Sequence, residues 1–124
     1  MIEYRLSKSQ KKIAREVIAK GLQKEFVDGI LKLDEVIADW KDKKLSNREA
    51  WYELYDRVRS HDKHIGRRYD YVTGSKYIFI IAEQLRDGVI DREDLNAFNE
   101  DVINEILFWA GRRGRQDDQS LKDG

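Results

Sequence analysis

The sequence predicts an all-α fold: one long N-terminal helix plus three shorter helices, dimerising through the long helix. Three observations carry that expectation. The chain has no proline among its 124 residues. Its strongest helix formers (Lys, Glu, Arg, Leu and Ala) run in unbroken stretches. Its apolar residues recur at steps of three and four and do not alternate. Charged residues make up 39% of the chain, more than a compact sphere of this size needs on its surface, and charge this dense suits long exposed helices.

The first helix opens at Ser7, which with Gln10 fits a capping box. Ile18, Leu22, Phe26, Ile30, Leu33, Ile37 and Trp40 then form one stripe at helical spacing. A helix from Lys8 to Asp42 would be about 50 Å long, longer than the core that the remaining chain can build. A stripe of that length suits coiled-coil-like pairing, which places Phe26, Ile30, Leu33, Ile37 and Trp40 in a dimer interface and leaves dimer and tetramer open. Gly21 and Gly29 interrupt the pattern and mark a kink or a close helix crossing.

Ser46 with Glu49 forms a second capping box, opening a helix that carries Trp51, Leu54, Tyr55, Val58 and Ile65 and ends near Gly66. Asp70 to Ser75 reads as a turn or helix start. Tyr77 to Leu85 is the most apolar run and reads as a buried helix stopped by Gly88. Asp91 is then expected to cap a fourth helix with Leu95, Phe98, Val102, Ile106 and Trp109, followed by Gly111. By length the chain is one helical domain over 1–112, with a polar, disordered tail over 113–124.

Composition closes off much chemistry. The chain has no cysteine, so disulfides, thiolate catalysis and cysteine-ligated metals are excluded. Lys plus Arg and Asp plus Glu number 24 each, so no overall basic field calls for nucleic acid or a membrane surface. No apolar run approaches the roughly 20 residues that cross a bilayer, and residues 1–10 lack a secretory hydrophobic stretch; a cytoplasmic protein is expected. Nothing requires a cofactor.

The densest polar cluster runs from Asp56 to Asp70 and holds both histidines. Its plain reading is a solvated helix face with mixed charge at helical spacing. His61 and His64 share a face, but two histidines alone make an incomplete metal site. Arg59 and His64 have the arginine, four residues, histidine spacing that resembles the motif of HEPN ribonucleases. In that chemistry the histidine is a general base, the arginine stabilises the phosphorane, and Arg67 and Arg68 hold phosphates. Asp87 to Leu95 looks like half an EF-hand loop, yet Leu85 stands at a ligand position and Asp94 where the bidentate glutamate belongs. A tight inter-helix turn explains that segment better.

Over residues 51 to 90, Trp51, Leu54-Tyr55-Asp56, Lys63-His64-Ile65, Arg68-Tyr69-Asp70-Tyr71, Phe79, Ala82 and Asp87-Gly88 occur in an order and spacing that resembles the fluorescence recovery proteins of cyanobacteria. The resemblance implies a long first helix, three shorter ones, and a non-enzymatic dimer that regulates photoprotection. Such a dimer binds the C-terminal domain of the orange carotenoid protein and speeds its return to the resting state. It further implies partner-binding roles for Trp51, Asp56, Arg59, Lys63, Tyr69 and Asp70, and no catalytic residue. Read from spacing alone, Trp51 and Phe79 fit a core, and Asp56 fits a pair with Arg59 along its own helix.

Overall fold

The computed structural model describes the backbone of residues 6–123 and the side chains of residues 6–111. The order is α1 (Lys8–Lys41), α2 (Asn47–Tyr69), a 3-10 turn (Gly74–Lys76), α3 (Tyr77–Arg86), a second 3-10 turn (Arg92–Leu95) and α4 (Glu100–Asp123). The fold is all-helical, with no strand among the described residues. No helix there is long and apolar enough to cross a membrane. The tail expected over 113–124 lies outside the described side chains.

The chain divides into two compact units, residues 1–21 with 71–124 and residues 22–70, and α1 runs through both. The first unit holds most of the apolar core. Ile81, Leu95 and Ile106 are fully buried there, and Phe79 meets Trp109 edge to face at 4.9 Å. Gln84, also fully buried, donates from Nε2 to the Ile18 carbonyl at 3.2 Å. Gly21 permits this approach, because a Cβ there would stand 2.2 Å from Gln84 Nε2.

The expected caps are realised unequally. Ser7 Oγ accepts from the Gln10 amide, but the Gln10 side chain, buried, accepts from the Asn99 amide at 2.8 Å and does not turn back to Ser7. At Ser46 both halves of the box are formed. Helix α2 runs through Gly66 to Tyr69, past the predicted end. Gly88, at φ 74°, closes α3 as expected: its amide donates to the Leu85 carbonyl and the Val89 amide to the Gln84 carbonyl, the paired bonds of a Schellman stop.

One prediction about the elements fails. Asp91 caps only the 3-10 turn Arg92–Leu95, with Asp94 completing a capping box, and α4 begins at Glu100 and passes through Gly111. The aspartate signal is local and specifies a first turn of either helix type. Lys20, paired with Asp94, ties this turn to α1 within the first unit.

Candidate functional site

Residues 22–70 form an antiparallel hairpin of the second part of α1 and α2. The loop end is marked by Trp40 Nε1 donating to Asn47 Oδ1 at 2.8 Å. Farther along, Arg57 bonds the Lys32 carbonyl at 3.1 Å and the Glu35 carboxylate at 3.3 Å. His61 Nε2 meets the Glu25 carbonyl at 2.6 Å. Gly29 makes room for that ring, since a Cβ there would lie 2.5 Å from His61 Cδ2. Glycine inside the helix thus serves the close crossing.

The polar centre of the hairpin is Glu25, whose side chain is 5% exposed. One oxygen takes His64 Nε2 at 2.6 Å and an Arg68 guanidinium nitrogen at 2.9 Å. The other accepts from the Tyr69 hydroxyl. Burial pushes the carboxyl up, but Tyr69, His64 and Arg68 together outweigh it and hold Glu25 below the ordinary glutamate range. An ionised Glu25 accepts all three bonds, so His64 donates from Nε2 and its ring is held in one orientation. His61 lies alongside, ring centres 5.9 Å apart.

The sequence cluster Asp56–Asp70 therefore splits by depth. His61, His64, Arg68 and Tyr69 turn toward α1. Trp51 is 71% exposed, against the reading of it as core, and Asp56, Arg59, Lys63 and Asp70 are exposed as well. At about 100° per residue, Arg59 and His64 sit about 140° apart around α2, so the ribonuclease-like pair does not converge within one chain. Asp56, Arg59 and Lys63 lie about 160–220° around α2 from His61, on the side away from α1. Among the described residues no group of three or more His, Cys, Asp or Glu is arranged to hold a metal ion.

The apolar stripe of α1 also differs from its sequence reading. Ile18 is buried in the first unit, while Phe26, Ile30, Ile37 and Trp40 are 43%, 64%, 36% and 44% exposed and Leu33 is half-buried. Helix α2 packs instead on the adjoining seam of Glu25, Gly29 and Val36, all buried. Glu25 is the residue that sequence reasoning missed. Its only signal is a four-residue step to Gly29 that parallels the spacing of His61, His64 and Arg68. No family model, no curated protein and no solved structure matches the chain.

Proposed function

We propose that the protein is a non-enzymatic, protein-binding homodimer of fluorescence-recovery-protein type, which regulates a partner by docking on it. The observation that carries this reading is the exposed apolar stripe Phe26–Ile30–Ile37–Trp40 on a helix whose neighbouring seam α2 already fills. Monomers seldom leave apolar patches of several hundred Å² open to water. The resemblance over residues 51–90 supplies the partner class, the C-terminal domain of orange carotenoid protein. This chain carries Asp62 where the family has an arginine, and His64-Ile65-Gly66 where it has glutamate-isoleucine-aspartate; such charge changes redirect partner choice.

Two experiments separate the readings. Mixed with photoactivated orange carotenoid protein, the purified chain should accelerate dark recovery; a dimer without that effect acts on another protein. A ribonuclease of HEPN type is the second reading, favoured by the Glu25-oriented His64 imidazole. Incubation with single-stranded and structured RNA should leave both intact, and cleavage abolished by His64→Ala would replace the first reading with the second.

A further inference from the structure

The hairpin 22–70 is short of apolar core: among the described residues, Val36 and Ala50 are its only buried apolar side chains. The seam between its helices is otherwise filled by Glu25, Gly29 and the polar side chains of α2. Its larger apolar residues are on the outside.

Helical geometry shows where they lie. With the Gly29–His61 contact as the facing direction on each helix, Phe26, Ile30 and Ile37 fall about 60–100° around α1, and Trp51, Tyr55 and Val58 about 60–120° around α2, in the same rotational sense. The two helices run in opposite directions, so rotation in the same sense brings both sets to one side of the hairpin. Trp51, Tyr55 and Val58 are 71%, 58% and 50% exposed. No charged residue falls in this sector between Phe26 and Ile37 on α1 or between Trp51 and Val58 on α2; Asp34 borders it, and Asp62, about 100° around α2 and one turn past Val58, lies in it at the Phe26 end.

We infer that this two-helix face is the self-association surface: a second copy of the chain packs on both α1 and α2, and Trp51, Tyr55 and Val58 are buried in the dimer together with the α1 stripe. The inference rests on the homodimer proposed above and specifies what it buries. The six side chains expose roughly 600 Å² of mainly apolar surface, taking about 150–250 Å² for an aromatic residue, and a stable interface needs roughly 800 Å² per partner. The α1 stripe alone falls well short, whereas the two-helix face supplies about three quarters of that area before its polar rim is counted. A face rich in aromatics, with Asp62 at one end and Asp34 at its border, has the composition of an interface core with a charged rim. A second copy meets the face through a two-fold axis, giving the four-helix packing that hairpins with one apolar side adopt.

Sedimentation or light scattering of the full chain across about 1–100 µM tests this, with circular dichroism confirming helix content. The wild type should show twice the protomer mass. Ile30→Asp on α1 and Val58→Asp on α2 should each weaken association at least tenfold, and Lys63→Glu, on the outer side, should leave it unchanged. If Val58→Asp loses helix, Tyr55→Lys replaces it. A Val58→Asp chain that stays dimeric while Ile30→Asp dissociates means pairing through α1 alone, which overturns this inference and leaves the dimer standing. Dissociation by Lys63→Glu as strongly as by Val58→Asp also overturns it. A monomeric wild type removes the dimer and this face together.

Discussion

A carboxylate with its side chain 5% exposed stays ionised only where donors replace the water it has lost. For Glu25 those donors are His64, Arg68 and Tyr69. Glu25→Gln keeps the shape but removes the carboxylate charge that pairs with the Arg68 guanidinium, itself 7% exposed. Breaking a buried pair in this way costs about 3–5 kcal/mol, to be read from the midpoint of urea unfolding. The carboxyl is depressed in the folded state. Its contribution is therefore complete above the unfolded value of about 4.3 and is lost as pH falls below that through the folded value. Wild-type stability should decline over this acid range, and Glu25→Gln should show a flatter decline. An equal slope in both would mean that Glu25 is not the group being protonated. From sequence, His61, His64 and Arg68 were visible as a polar cluster, but their acceptor was not. Glu25 precedes His64 by 39 positions and sits between Lys24 and Phe26, where it reads as an ordinary surface residue.

The helices themselves were legible because periodicity and caps are local signals. Ser46–Glu49 and Gly88 formed the predicted cap and stop, whereas the Asp91 cap specified a turn whose helix type is set by the residues after it. Where tertiary contact decides, two glycines make opposite cases. Gly29→Ala would ordinarily gain up to about 1 kcal/mol of helix propensity. Here the new Cβ would strike His61 at 2.5 Å and displace its bond to the Glu25 carbonyl. A net loss of about 1–3 kcal/mol is expected, with a shifted His61 imidazole resonance in NMR spectra; a stabilised variant would show that the crossing tolerates separation. Gly88→Ala meets no atom within 4 Å, so its cost is the left-handed backbone alone, about 1 kcal/mol. A thermal melt should register that loss with no change in the spectrum of α1 or α2.

At the scale of the molecule, the sequence showed how much apolar surface there is but not which unit buries it. The long stripe reads as one face, yet its first member, Ile18, belongs to the core of the first unit, while Phe26, Ile30 and Ile37 stay open beside a polar helix seam. That division comes from Glu25 and Gly29, which draw α2 onto a seam that hydrophobic periodicity does not mark. It also predicts an uneven stability. Opening of a segment costs least where few apolar contacts are lost, and residues 22–70 bury only Val36 and Ala50 as apolar side chains among the described residues, against a run of buried residues from Tyr77 to Ala82 interrupted only by Phe79. At low concentration the amides of residues 30–40 and 51–60 should therefore exchange with deuterium faster than those of 78–85. As concentration rises their protection should increase, because a second copy that binds only the closed hairpin stabilises it by mass action, while exchange over 78–85 stays constant. Hairpin protection that is independent of concentration and equal to that of α3 would mean that the polar seam holds the hairpin closed without a second copy.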